Sequence, residues 1–382
     1  MTPLVVVLPT GGGKSLLFMA PACLENAGVT IVIVPFRALI NKLVSTAKEA
    51  GVNSTEWHPG LTDPATLVFV SADRIIGSGF LSYAELLYSK GLLRRVFVDE
   101  CHLTFTASDW RPKLVAVRYV RGLRVPLIML TTLPPMLAFE LEVSMASDGH
   151  PIHSGYNDRL RTRYVVETCR RGELEETTIG TCKRMQKHIG RNKGVIYCRS
   201  IDQCKDMAKE LGCAYYHGGS IDNEDKLAVW METGGTHRSY IRARYRSRLS
   251  RNCFILHMDL PYGMIDYAQE SGRAGRAGEE VDSIIIVEQG KVESMRQAGR
   301  IRGLDEEIMA EFVTTRECRR QVMSRYLDGK IVECGAGDVA QCDRCGEGLG
   351  ALERLHEKNG KERETVERHW MISPTAVLHA GC

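Results

Sequence analysis

The 382-residue sequence contains no apolar run that approaches the length of a membrane-spanning helix. Nothing in it resembles a secretory signal: the apolar run Leu4-Val5-Val6-Val7-Leu8 is short and leads straight into a glycine-rich turn. Charge of one sign is scarce. Lys and Arg number 50 against 47 Asp and Glu, and the net charge of +3 is too small to argue for a polyanionic partner by itself. Any such argument has to come from local clusters. An even cysteine framework is missing as well, since there are thirteen cysteines. Without an oxidising-compartment signal, most of these thiols are expected to be reduced and buried, inside a cell. The remaining composition is that of a globular protein, 44% apolar and 25% charged, long enough for two domains and a small third unit.

The turn after the first apolar run reads Pro9-Thr10-Gly11-Gly12-Gly13-Lys14-Ser15 and precedes a helical stretch from Leu16. Strand, glycine-rich turn and helix in that order suit a nucleoside triphosphate. Glycines let successive N–H groups face phosphates, and the helix N-terminus adds partial positive charge. Thr10, Gly11, Gly12 and Gly13 would form the cradle, Lys14 would reach the β/γ-phosphates, and Ser15 would ligate Mg²⁺. The strict G-x-x-x-x-G-K-[ST] pattern fails, because Leu8 occupies its first glycine position. The bland alternative for the stretch alone is an ordinary glycine-rich turn.

Short β-branched runs then alternate with helical stretches, the pattern of a parallel sheet covered by helices. Expected strands are Val29–Val34, Leu67–Val70, Arg95–Val98 and Leu127–Leu130, with a helix from about Arg37 to Ala50. The strand ending at Val98 runs into Asp99-Glu100-Cys101-His102, and in a parallel sheet that end is where ligands sit. Asp99 can hold the Mg²⁺ shell and Glu100 can orient or deprotonate an attacking water. Leu127–Leu130 ends in Thr131-Thr132-Leu133-Pro134, whose hydroxyls could sense the phosphates.

A second alternating series begins at Tyr164-Val165-Val166 and includes the strand Lys193–Cys198, a helix to about Leu211, and Tyr215-Tyr216-His217. The boundary is expected near 150–160, where Asp148-Gly149-His150-Pro151 and Ser154-Gly155 supply linker chemistry. Tyr267 to Gly278, reading YAQESGRAGRAG, spaces two arginines with small residues, so both guanidinium forks can reach across a cleft. Further on, Cys318, Cys334, Cys342 and Cys345 fall within 28 positions. The last two form a C-x₂-C turn that lets two thiolates reach one tetrahedral Zn²⁺. Zinc is favoured over disulfides here.

Together these stretches resemble superfamily 2 helicases of the RecQ type over roughly residues 4 to 346. Pro9–Ser15, Asp99–His102 and Thr131–Pro134 look like motifs I, II and III, and a variable apolar residue in place of Leu8 is usual there. The Tyr267–Gly278 run is similar to motif VI. That implies Gln269 near the nucleotide, Arg276 as the arginine finger and Arg273 as its partner. Leu103–Pro112 sits where the family carries an aromatic-rich loop coupling DNA contact to ATP turnover. There Phe105, Trp110 and Arg111 would meet DNA, although either ring serves equally well as core packing. Cys-Arg-Arg at 318 and Cys-Asp-x-Cys at 342 resemble the family's zinc-binding subdomain.

The resemblance implies an α/β protein of two RecA-like parallel-sheet domains followed by a small helical zinc-binding subdomain. Residues 1–155 and 156–303 would be the two domains, 304–346 the zinc unit and 347–382 a charged tail. ATP, Mg²⁺ and Zn²⁺ are the implied cofactors. The implied activity is ATP-dependent 3′–5′ unwinding of DNA, on single strands or duplexes with single-stranded tails, without a membrane. A nuclear place in DNA repair and recombination goes with it. Three departures stand beside the resemblance. Thirteen residues precede Lys14, whereas the family's adenine-reading motif lies further upstream, so the choice of ATP is inherited from the family. No glycine occurs between Gly235 and Gly263, where a Gly-Ile-Asp turn belongs. Thr236–Arg251 instead interleaves six arginines with two tyrosines, which reads as a nucleic-acid patch, a solvated loop, or an altered reading frame or splice boundary. Residues 347–382 are expected to be too short for a winged-helix module. The alternative function is a non-catalytic nucleotide- and DNA-binding remnant.

Overall fold

Long β-branched runs with both faces apolar can be satisfied only inside a sheet covered on both sides, and that is what they build here. The computed structural model describes residues 4–8, 12–35, 37–75, 79–103, 119–131, 151–154, 161–189, 193–213, 215, 252–272, 280–335 and 339–346. The chain divides into two compact units, Met1–Arg159 with Met323–Val332, and Leu160–Val322 with Glu333–Cys382.

In the first unit the strands are β1 (Leu4–Val7), β2 (Val29–Val34), β3 (Ser54–Glu56), β4 (Leu67–Ser71), β5 (Leu93–Val98), β6 (Leu127–Thr131) and β7 (Pro151–Ser154). They form a parallel sheet in the order β3-β4-β2-β5-β6-β1-β7. Side chains alternate between two cores. Ile31 and Ile33 join Val68, Val70, Val96 and Val98 on one face. On the other face Val32 and Val34 join Leu67, Phe69 and Phe97. Helices α1 (Lys14–Ala22) and α2 (Ile40–Glu49) supply Phe18, Met19, Ile40 and Ala47 to the second core. Phe18 meets Phe69 and Phe97 edge-on, at 6.0 and 5.9 Å. Helix α3 (Phe80–Ser89) brings Phe80 and Tyr83 to the first core beside Trp57.

Expectation and structure differ in detail. Arg37–Leu39 is a 3₁₀ turn ahead of α2, because the chain turns at Pro35 before the helix can lengthen. Pro151–Ser154, read as linker, is the seventh strand, pairing parallel to β1. A proline is tolerated there because β7 is an edge strand of the described sheet.

The second unit holds β8 (Thr162–Cys169), β9 (Lys193–Cys198), β10 (Asn252–Met258) and β11 (Val281–Glu288) in the parallel order β8-β11-β10-β9. Helices α4 (Leu174–Ile189) and α5 (Ile201–Leu211) contribute Cys182, Met185, Cys204 and Met207 to its core. Ser200 starts α5 with a capping box to Gln203. Further along the chain come α6 (Met264–Ser271), α7 (Lys291–Gln297), α8 (Leu304–Thr314) and α9 (Arg319–Asp328), the last counted with the first unit from Met323 on.

Gly194 in β9 lies flat against Phe254 of β10, and a Cβ added there would sit 2.2 Å from that buried ring. Gly194→Ala is therefore expected to destabilise the chain by about 1–3 kcal/mol. Denaturant unfolding checks this, and an unchanged midpoint would contradict it.

Candidate nucleotide and metal sites

The sheet order decides which side chains can meet. Because β6 lies between β1 and β5, three strand ends converge: the glycine turn after β1, the carboxylates after β5, and Thr131 at the end of β6. Leu8 N–H donates to the Thr131 carbonyl at 3.0 Å, and Cys101 N–H donates to the Leu130 carbonyl at 3.0 Å.

Pro9, Thr10 and Gly11 lie outside the described residues, as do Thr132, Leu133 and Pro134. Gly12 and Gly13 are exposed. Gly13 takes φ +79° immediately before α1, a left-handed conformation that glycine adopts without steric cost. Among the described residues no side chain caps the first turn of α1, so the positive end of its dipole faces an anion without a competing cap. Lys14 and Ser15 are half-buried in that turn.

The Lys14 ammonium is buried and makes no hydrogen bond among the described residues, and the Glu100 Oε1 stands 3.5 Å away. One ion pair without hydrogen bonds is poor compensation for a desolvated ammonium with three donors. A polyanion supplying several oxygens at this point fits it better.

Glu100 itself is held in an uncommon conformation, φ +50°, of the kind that costs a non-glycine residue about 1–3 kcal/mol. Its N–H donates to Asp99 Oδ1 at 3.0 Å, and its carbonyl accepts from Leu103 N–H at 3.0 Å. His102 is buried, with Nδ1 3.1 Å from the Thr131 hydroxyl and 3.5 Å from Glu100 Oε2. Lys14, Glu100, His102 and Thr131 thus form one continuous line of contacts. Cys101 sits behind them, and burial, reinforced by Glu100 and Asp99, pushes its thiol far above the ordinary range. It is a wall of the site with no nucleophilic character. Asp99, Glu100 and Ser15 each carry a hard oxygen of the kind Mg²⁺ takes.

In the second unit, Gln269 lies on α6, while Arg273 and Arg276 fall outside the described residues. So do Phe105, Trp110 and Arg111, together with the arginine-tyrosine run 236–251. A pairing missed in the sequence is His257 with Glu270, 2.9 Å apart. The buried His257 ring stacks on Tyr197 at 4.8 Å. A histidine ending an apolar strand was its only sequence signal.

The four cysteines do come together. Their sulfurs all lie within 4.8 Å of one another, and those of Cys318 and Cys334 are 3.5 Å apart. Tetrahedral Zn–S bonds of about 2.3 Å would place sulfurs about 3.8 Å apart, so the set fits such an ion. Cys342 N–H donates to Cys334 Sγ at 3.3 Å, and Cys345 N–H to the Cys342 carbonyl at 3.1 Å. Donated thiol hydrogen bonds from Cys318 and Cys334 pull the Cys342 thiol strongly down. The same contacts push the Cys334 thiol up, and burial pushes Cys345 up to about 12, so the protons are shared unevenly over the four sulfurs.

Residues 2–132 match the DEAD/DEAH box helicase family. The chain is 28% identical over 95% of its length to RecQ-like DNA helicase BLM of Xenopus laevis, of which it spans 29%. It is 24% identical over 91% of its length to the putative ATP-dependent DNA helicase Q1 of Caenorhabditis elegans, of which it spans 59%. The chain thus spans less than two thirds of these relatives. In fold it is similar to Saccharomyces cerevisiae Dbp5 in a complex with RNA and ADP BeF3, with a TM-score of 0.61 at 12% identity over 94% of this chain and 89% of that one.

Metal analysis of the purified chain is expected to find about one zinc per chain, lost on Cys342→Ser. Undiminished zinc in that variant would refute the four-sulfur site.

Proposed function

We propose, from the premise that the chain is a relative of the RecQ-type superfamily 2 helicases, that it hydrolyses ATP and uses the energy to move on and unwind DNA. The observation that carries the proposal is the buried Lys14 ammonium, with no hydrogen bond among the described residues and Glu100 as its ion-pair neighbour. A lysine held in this way suits a γ-phosphate, and the carboxylate it would release suits the attacking water.

The contacts support the following roles. Backbone N–H groups at Gly12, Gly13 and the start of α1 cradle phosphate oxygens, and Lys14 turns from Glu100 to the β/γ-phosphates. Mg²⁺, held by Ser15 and Asp99, supplies positive charge to the phosphate oxygens when bound. Glu100 accepts a proton from water as the water oxygen bonds to the γ-phosphorus. The bond from that phosphorus to the bridging oxygen breaks, and ADP leaves with the electron pair. His102, touching both Glu100 and Thr131, links the base to the end of β6. Gln269 is given a nucleotide-facing role, Arg276 the finger and Arg273 its partner.

DNA contact through Phe105, Trp110 and Arg111, the 3′–5′ direction, zinc at the four cysteines, and nuclear work in repair and recombination belong to the same proposal. A second reading, a nucleotide- and DNA-binding protein without productive turnover, is favoured by one observation. The run 236–251 has no glycine for the turn expected there.

Steady-state ATPase assays with and without single-stranded DNA separate the two. Turnover stimulated by DNA is expected, and Glu100→Gln is expected to lower kcat about 10²–10⁴-fold while nucleotide binding persists. Absent turnover under both conditions would leave the second reading. Undiminished turnover in Glu100→Gln would remove Glu100 as the base.

A further inference from the structure

Arg319 and Asp343 each sit next to one of the four cysteines, yet their side chains are spent elsewhere. Arg319 is fully buried. Its guanidinium forks onto Asp343, with Nε–Oδ1 at 2.5 Å and Nη2–Oδ2 at 2.8 Å. The remaining nitrogen, Nη1, donates to the carbonyls of Phe312 and, at 3.2 Å, Val313. These carbonyls belong to the last turn of α8, where a helix has acceptors to spare. Asp343 also bridges the outer edge of β8. Its N–H donates to the Tyr164 carbonyl at 3.0 Å, and its carboxylate accepts from Val166 N–H at 3.1 Å.

Helix α8 holds α6 at two points. Asp305, in its first turn, accepts from Ile265 N–H at 3.0 Å, and a Cβ at Gly263 would lie 1.9 Å from the Asp305 carboxylate. Only glycine allows that approach. Near the other end of α8, the Phe312 ring packs 5.2 Å from Tyr267 and 5.9 Å from Tyr164. Tyr267 is the fully buried anchor of α6, its hydroxyl 2.9 Å from Ser283 on β11. Gln269 follows two residues later on the same helix.

We propose that Arg319 and Asp343 are positioning residues that make α8 a strut, carrying the filling of the four-cysteine site to α6 and thereby to Gln269. The inference rests on the proposed function only in taking the cysteines as a zinc site and Gln269 as nucleotide-facing. Zinc fixes the backbone at Cys318 and Cys342, and hence the two side chains beside them. Their fork secures the carbonyl end of α8, and α8 sets the start and the middle of α6.

Hydrogen exchange of residues 264–271, read by mass spectrometry on the full purified chain, tests the strut without needing activity. Chelation of the wild type, Asp343→Asn and Phe312→Leu should each raise exchange in α6 about tenfold or more, with β11 unchanged. Both variants should keep their zinc, and chelating Asp343→Asn should add little. In the same variants the KM for ATP should rise about 3–10-fold, with kcat within about twofold. Unchanged α6 exchange on chelation or in the variants would overturn the proposal. So would an equal rise over β9, β10 and β11, or loss of zinc from Asp343→Asn. If Asp343→Asn fails to fold, chelation and Phe312→Leu decide. A wild type that does not turn over ATP would sink the proposed function and leave the exchange result standing.

Discussion

The parallel pairing of β1 with β6 and of β6 with β5 is the constraint on which the candidate nucleotide site depends. It brings together residues about 30 to 120 positions apart in the chain, as parallel strands joined by crossovers allow. All three strands end on the same side, so Lys14, the carboxylates after β5 and Thr131 meet there and nowhere else. Phe18, wedged between Phe69 and Phe97, seats α1 on the sheet and so sets the height of its N-terminus. The arrangement of the candidate site is in this sense a by-product of the core.

Much of this was legible because it is local. A β-branched run followed by glycines and Lys-Ser specifies strand, turn and helix from neighbouring residues alone, and C-x₂-C fixes two ligands by backbone geometry. What was not legible depends on pairs distant in sequence or on conformations that no pattern announces. Pro151–Ser154 has turn-like composition and becomes a strand only because β1 offers an open edge. The positive φ of Glu100 has no local pattern to announce it, and its ion pair with Lys14 joins the ends of two strands that the sheet order brings near each other. Asp343 could be read as part of a cysteine turn, but not as the partner of a buried arginine 24 residues earlier.

Two fully buried arginines in succession, Arg319 and Arg320, would be costly if either lacked partners, since each desolvated ion costs several kcal/mol. They have them. Arg320 donates to the carbonyls of Thr162 at 2.7 Å and Ala340 at 3.0 Å and lies over the Tyr164 ring at 5.2 Å. With Asp343, these contacts cover the open edge of β8, which would otherwise be a template for unwanted pairing. The cysteine loop therefore does for the second sheet what a further strand would do. On the zinc proposal its own order would come from sulfur ligation, because so short a segment has little apolar core of its own.

The central claim is that the turn before α1 and Lys14 form a triphosphate site, and calorimetric titration of the purified chain with a non-hydrolysable ATP analogue and Mg²⁺ tests it most directly. Binding is expected, weakened about tenfold or more by Lys14→Ala and competed away by inorganic triphosphate. Equal affinity in the wild type and Lys14→Ala, or binding indifferent to triphosphate, would contradict it.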